Sequence, residues 1–225
     1  MLQFKSPNIK GIIMKKLGIK FIKNGPIKIT NNSNETLTKT IFFDKNPIQM
    51  KSNLFICRCG RTNNQPFCDG THVKINFQSN KEIKEENIQI YKGKDIDIHF
   101  NRSICCGAAR CVNNFSNIYK SASKDWISPD KGTIDEVIHS VKACPSGALS
   151  YKLKNSSPKE EYENEEINII KGGPILVKGD IENEITSWST DANKQKFALC
   201  RCGNSKNKPF CDYSHASLNK EEYTF

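Results

Sequence analysis

The sequence contains no apolar run approaching the roughly 18 residues that a membrane-spanning helix needs. It has no Gly-rich phosphate loop, no nucleophile elbow and no flavin or nicotinamide fingerprint. Histidine is scarce, with four in all: His72, His99, His139 and His215. Two of them fall inside a repeated motif described below. His99 lies in an alternating strand and His139 on a polar helix face, and both read as structural or solvated. These absences leave no candidate catalytic residue and argue against an enzyme. Apolar residues are also few, at 36% of 225 residues. That is low for one large core and suits two or three small domains that bound metal helps to hold. Acidic residues are rare in the first third. Residues 1–80 carry a net +10, residues 81–160 +3 and residues 161–225 −3. A basic face of this kind can steer an acidic redox partner; the plainer reading is a solvated lysine surface. Basic and aromatic residues are not interleaved at a stacking face, which speaks against a nucleic-acid partner.

Cysteine is abundant, at ten residues. Six of these, with two histidines, form one pattern written twice. CRCGRTNNQPFCDGTH runs from Cys57 to His72, and CRCGNSKNKPFCDYSH runs from Cys200 to His215, 143 positions later throughout. Three thiolates and an imidazole suit Zn²⁺ or an iron–sulfur cluster. Structural zinc sites more often separate their first two cysteines by two to four residues. The one-residue spacing instead suits two bonds to one iron, with the later Cys and His on a second. A disulfide framework leaves the histidine without a role, and Cys57 and Cys59 are poor disulfide partners. Between the ligands, Gly60 and Gly203 would let backbone approach the sulfides. Thr62 and Ser205 offer hydroxyls at matching positions, Pro66 and Pro209 stiffen the loop, and Asp69 and Asp212 can cap a short helix carrying the His.

Both stretches resemble the CDGSH iron–sulfur domain of the NEET family, whose pattern is C-x-C-x2-[ST]-x3-P-x-C-D-G-[SAT]-H. The first copy matches in full. The second departs at Tyr213, where the family has Gly, which is expected to reshape the turn before His215. The resemblance implies a [2Fe-2S] cluster on Cys57, Cys59, Cys68 and His72, and another on Cys200, Cys202, Cys211 and His215. It also implies redox activity and cluster transfer.

The repeat is larger than the ligand motif. LGIKFIKNGPIKIT and INIIKGGPILVKGD both alternate around a Gly-Pro turn, predicting a strand, a turn and a strand. A further strand leads to each first Cys. Phe55, Phe67, Phe77, Phe197 and Phe210 are expected to shield clusters and fill small cores. The domains read as a tail over 1–14, a first CDGSH domain over 15–80, a second over 167–225, and a unit over 88–153 between them. Residues 78–90 read as a polar linker and 155–166 as an acidic one. Met14 offers an alternative start. The tail lacks acidic residues, as transit peptides do, but it also lacks Arg.

The unit over 88–153 has its own cysteines. KDIDIHF alternates like a strand, CCGAARC spans 105–111, and Ile134, Val137, Ile138 and Val141 share a helical face that stops at Cys144-Pro145. A short strand, ALSY, follows. Cys105, Cys111 and the remote Cys144-Pro145 resemble a divergent mono-cluster ferredoxin domain, with Ala108 where ordinary four-iron ferredoxins place the middle Cys. Two outcomes follow. Cys105, Cys111 and Cys144 hold [3Fe-4S], or Cys106 supplies a fourth thiolate to [4Fe-4S]. Neighbouring loop residues usually point differently, which favours Cys106 as a non-ligand.

The fold class expected is α+β: two small β-rich CDGSH domains pairing as a pseudo-twofold unit within one chain, as NEET dimers do between chains, with an α/β ferredoxin-like domain inserted and docked to one side. The function expected is electron carriage by a three-cluster protein. Cluster storage, repair or transfer to apoproteins is the alternative, and an RNA-binding zinc module a third reading that leaves the middle cysteines unexplained. The partner would be a redox protein or an apo iron–sulfur protein, and the chain a monomer. Cysteine usage points to a reducing compartment, the cytoplasm or, as a weaker alternative, the mitochondrion.

Overall fold

In the computed structural model, residues 17–33, 35–37, 40–120, 125–155, 164–219 and 223–224 are described. The tail over 1–14, Met14 and most of the 155–166 linker lie outside them. Strand β1 (Leu17–Phe21) turns into β2 (Ile27–Asn31). Ile22 N donates to Pro26 O (3.1 Å) and Gly25 N to Ile22 O (2.9 Å). Strands β3 (Ile41–Phe43) and β4 (Asn46–Pro47) follow, and β5 (Leu54–Ile56) delivers the chain to Cys57. The cluster loop ends in the short helix α1 (Thr71–Lys74).

The middle unit has β6 (Ile88–Tyr91), β7 (Ile96–Asn101), α2 (Arg110–Asn114), α3 (Ile134–Ala143) and β8 (Leu149–Leu153). Its strands form one antiparallel sheet in the order β6-β7-β8. Helix α3 begins in a capping box, Thr133 Oγ1 accepting from Glu136 N and Glu136 accepting from Thr133 N. Val137 and Val141 are buried on its inner face, but Ile134, in the first turn, is 40% exposed. The helix stops at Cys144, as Pro145 requires.

The second repeat supplies β9 (Glu166–Ile169), β10 (Ile175–Lys178), β11 (Glu182–Asn183) and β12 (Lys196–Leu199), which delivers Cys200. The β9–β10 turn repeats the first one, with Ile170 N donating to Pro174 O (3.0 Å) and Gly173 N to Ile170 O (3.1 Å).

The expected internal pair is present, and strands cross between the repeats. One sheet runs β11-β1-β2-β5 and the other β12-β10-β9-β3-β4. Strand β3 pairs in parallel with β9 of the second repeat (Ile41↔Ile167), and β11 pairs in parallel with β1 of the first (Ile19↔Asn183). Each repeat thus completes the other's sheet. The apolar residues on these strands, Leu17, Ile19, Ile27, Ile29, Ile41, Ile167, Ile169, Ile175 and Val177, lie in one continuous core.

The middle unit docks on the second repeat. Lys196 Nζ donates to Val141 O (3.0 Å) and Lys142 O (3.1 Å) at the C-terminal end of α3, where a cation is favoured. Asn207 Nδ2 donates to Ser103 O (2.9 Å). Two sequence expectations are corrected. Residues 78–90 are not a free linker: Glu82 N donates to Lys206 O (2.8 Å), Ser79 is bonded to Asn24, and Ile88 already belongs to β6. Phe55 shields nothing. It sits at an outward position of β5, 43% exposed, with Lys28 Nζ above its ring. Phe197 and Phe210 are fully buried, and Phe77 packs on Cys57 and Cys59, as expected.

Candidate metal centres

Each CDGSH loop presents its donors as two pairs. Cys57 Sγ lies 3.6 Å from Cys59 Sγ, and Cys68 Sγ lies 3.3 Å from His72 Nδ1. In the second loop Cys200 and Cys202 are 3.7 Å apart, and Cys211 Sγ lies 3.4 Å from His215 Nδ1. A tetrahedral metal with bonds of about 2.3 Å to sulfur and 2.0 Å to nitrogen holds two sulfurs about 3.8 Å apart, and a sulfur and nitrogen about 3.5 Å apart. Each pair is therefore spaced to share one ion. Two such pairs in one loop fit a two-metal group.

The loop is held by side chains that do not touch the donors. Asp69 accepts from Asn63 N (2.8 Å) and Thr71 N (3.0 Å), and Asp212 from Lys206 N (2.9 Å) and Ser214 N (3.0 Å). These backbone bonds hold the Asp69 carboxyl down at about 2. Thr62 Oγ1 donates to Phe67 O and Ser205 Oγ to Phe210 O, both at 2.6 Å, so these hydroxyls tie the loop to itself. Gly60 and Gly203 each also lie against the opposite repeat. Both hold a left-handed backbone, φ +79 and +80, and a Cβ on Gly60 would sit 2.5 Å from Cys202 O, one on Gly203 2.8 Å from Cys59 O. The glycines permit the two repeats to meet backbone to backbone. Pro66 and Pro209 both follow cis peptide bonds.

The sequence reading missed the residue between the paired cysteines. It is arginine in both copies, which was the available signal. Arg58 is buried and donates to Gly25 O (2.6 Å) and Ile22 O (2.7 Å). Arg201 is buried and donates to Ile170 O (2.8 Å), while its Nε and Nη2 are buried without a hydrogen bond. Burial lowers both guanidinium pKa values to about 10, opposed by thiolate charge at Cys200 for Arg58, and at Cys57 and Cys200 for Arg201. Each repeat sets a cation near the other's cysteines. The thiols need such help. Cys57 is lowered to about 6, chiefly by its neighbour Cys59, and Cys200 to about 7 by Cys202, whereas Cys59 and Cys202 are raised by the same pairing, and Cys211 chiefly by burial. All three thiols of a site ionise together only when metal charge compensates them. The donor set, its spacing and the buried cations fit an anionic [2Fe-2S] group.

In the middle unit, Cys105, Cys106, Cys111 and Cys144 line one small cavity with Gly107, Ala108 and Pro145. Burial pushes Cys111 up to about 11 and Cys106 up to about 12, with Cys144 adding to both. Cys105, Cys111 and Cys144 pack with the main core, whereas Cys106 packs with Ala198 and Cys211 of the second repeat.

The model of the family described as iron-binding zinc finger, CDGSH type, matches residues 24–73 and 172–216. That described as divergent 4Fe-4S mono-cluster matches residues 91–154. The uncharacterized protein YjdI of Escherichia coli K12 is 38% identical over 64 residues, 28% of this chain and 84% of YjdI; the same holds for YjdI of E. coli O157:H7. This chain belongs to the CDGSH iron-binding and divergent 4Fe-4S mono-cluster families. No solved structure matches it. As a CDGSH protein it binds [2Fe-2S] clusters in its two repeats and a [4Fe-4S] or [3Fe-4S] cluster between them, and neither family is catalytic. Tyr213 does not reshape the CDGSH turn: at φ +75 it takes the left-handed conformation that Gly70 takes at φ +87 in the first copy. His99 Nδ1 lies 3.2 Å from Asp191, and His139 stands edge-on to Phe115. No helix among the described residues is long and apolar enough to cross a membrane.

Proposed function

We propose that this CDGSH protein carries electrons between protein partners. The observation that supports this is the burial of its donors. Cys57, Cys59, Cys200, Cys202 and Cys211 are all buried, whereas His72, His215 and Cys68 are half-buried. Sulfur ligands kept inside the fold retain a cluster, while a half-buried imidazole gives electrons a route in and out. We assign Cys57, Cys59, Cys68 and His72 to the first site, Cys200, Cys202, Cys211 and His215 to the second, and Cys105, Cys111 and Cys144 to the middle one. Cys106 is left out because it packs on Cys211. Neutral imidazole in place of a thiolate raises the reduction potential relative to all-Cys sites. The partner is a redox protein with an acidic face, drawn to the basic first third of the chain; the protein acts in the cytoplasm as a monomer, its repeats satisfying each other.

Delivery of clusters to apoproteins is the second reading, and one observation favours it at the first site. Cys68 is half-buried where its counterpart Cys211 is buried. Anaerobic incubation with an apo-ferredoxin separates the two. Electron carriage predicts repeated reduction and reoxidation with iron retained. Loss of visible absorbance from this protein, with matching gain by the apo-ferredoxin, would establish delivery instead.

A further inference from the structure

We propose that the middle centre is wired to the second CDGSH centre and not to the first, through a junction built by Cys106 and Tyr213. This rests on the electron-carrier reading above. Two independent contacts make the junction. Cys106, beside the assigned ligand Cys105, forms a buried cluster with Ala198 and the assigned ligand Cys211. A cysteine next to a ligand of the middle centre thus shares one buried cluster with a ligand of the second. The other contact is Tyr213, where the family motif has Gly. Its ring lies so close to Gly107 that a Cβ there would fall 1.9 Å from Cε2. The same ring stands edge-on to His215, centroids 5.3 Å apart. Arg102 also lies over it, its guanidinium 6.0 Å from the Tyr213 centroid and its Nη1 donating to Asp212 O (3.3 Å). The loop of the middle centre, Tyr213 and a ligand of the second centre are therefore in successive contact.

The first repeat supplies the contrast. Its matching residue is Gly70, and a Cβ there would meet nothing within 4 Å. A side chain in the left-handed region is unfavourable for any residue but Gly and Asn or Asp. Tyrosine tolerates that strain at 213 where it has Gly107 to pack against, and a glycine at 107 is what makes room for it. The two repeats meet each other at Gly60–Cys202 and Gly203–Cys59. The order of centres that results is middle, second, first. In the step at the junction one electron leaves the reduced middle centre, which is oxidised by one, and enters the second, which is reduced by one. A one-electron donor protein supplies it and a one-electron acceptor protein removes it.

The test is a dithionite titration of the full-length, anaerobically purified protein, followed by EPR. The proposal expects one [2Fe-2S] signal to be broadened or split by the paramagnetic middle centre, and the other to be unaffected. His215→Cys and His72→Cys each alter the spectrum of one site and so assign the signals. The affected signal must be the one that His215→Cys changes. If it is the one His72→Cys changes, or if neither signal responds, the wiring is overturned. Tyr213→Gly restores the family's residue at an unchanged turn. It is expected to keep its iron and to weaken the splitting and slow internal electron transfer after flash photoreduction; an unchanged splitting and rate would remove Tyr213 from the junction. Failure of the carrier reading looks different: iron is then lost during the titration instead of being reoxidised, and the wiring falls with it.

Discussion

Replacing Ile41 with alanine should damage the site that is more distant in sequence as well as its own. Ile41 is fully buried on the three-residue strand β3, and its register partner in the second repeat, Ile167, is also fully buried. Truncation of a buried Ile to Ala costs about 2–5 kcal/mol. A domain is stable by about 5–15 kcal/mol, so the loss is a large fraction of the whole. With a urea slope of about 2 kcal/mol/M, a cost of about 3 kcal/mol lowers the unfolding midpoint by roughly 1.5 M. The measurement is an anaerobic urea titration read by far-UV circular dichroism and by visible absorbance, with EPR to tell the two CDGSH sites apart. Because β3 is an inner strand of the second repeat's sheet, both CDGSH signals should be lost together and at the lower midpoint. A double-mutant cycle with Ile167→Ala should give a coupling of about 0.5–3 kcal/mol, as for residues in contact. Loss of the first site alone, with the second unchanged, would refute the strand exchange.

Further outcomes follow from the sites. Arg201→Leu removes a buried cation that acts on Cys57 as well as on Cys200, so it should lower the reduction potential of both CDGSH centres in protein-film voltammetry; a shift at the second alone would deny the cross-repeat electrostatics. His72→Cys should stabilise the first centre and lower its potential, since a thiolate adds negative charge; an unchanged potential would remove His72 from the ligand set. Acid should release the metal centres before the fold. Asp69 is held at about 2, Asp97 is lowered mainly by Lys154, and Glu86, though raised by its own burial, is brought down overall by bonds from Thr190 N and Lys81. Carboxyls whose folded pKa is depressed contribute fully above the unfolded value of about 4 and lose that contribution as pH falls through the folded value. These three therefore weaken the fold only below about pH 4. Loss of circular dichroism at a higher pH than loss of the visible band would contradict this order.

Much of this architecture can be read from residue spacing, and what cannot has physical causes. The β1–β2 and β9–β10 hairpins follow from alternation around Gly25-Pro26 and Gly173-Pro174, because a Gly-Pro turn acts locally. The repeated Cys and His spacing marks the two CDGSH donor groups, which the structure sets out as close pairs, while the middle set is expected from a resemblance. The crossing strands do not, because β3 and β11 have three and two residues and pair in parallel with partners far away in sequence. Short strands carry no usable period. The second role of Gly60 and Gly203, room for the opposite repeat's backbone, is invisible in the sequence because the contact joins residues about 142 positions apart. Arg58 and Arg201 look like ordinary surface charge, and only their recurrence between paired cysteines marks them. Ile134 fits the apolar face of α3 by period, yet it lies one turn too early to reach the core. Tyr213 is visible as a departure from the motif, but its reason is Gly107, which belongs to a different domain.

The central claim is that three iron–sulfur sites are built by the assigned cysteines and histidines. The direct measurement is the iron and acid-labile sulfide content per chain of protein purified without oxygen, with visible and EPR spectra before and after dithionite. The account predicts about seven or eight irons per chain, two [2Fe-2S] signals of mixed Cys and His ligation and one distinct middle signal. A colourless protein that retains zinc after the same handling would contradict it.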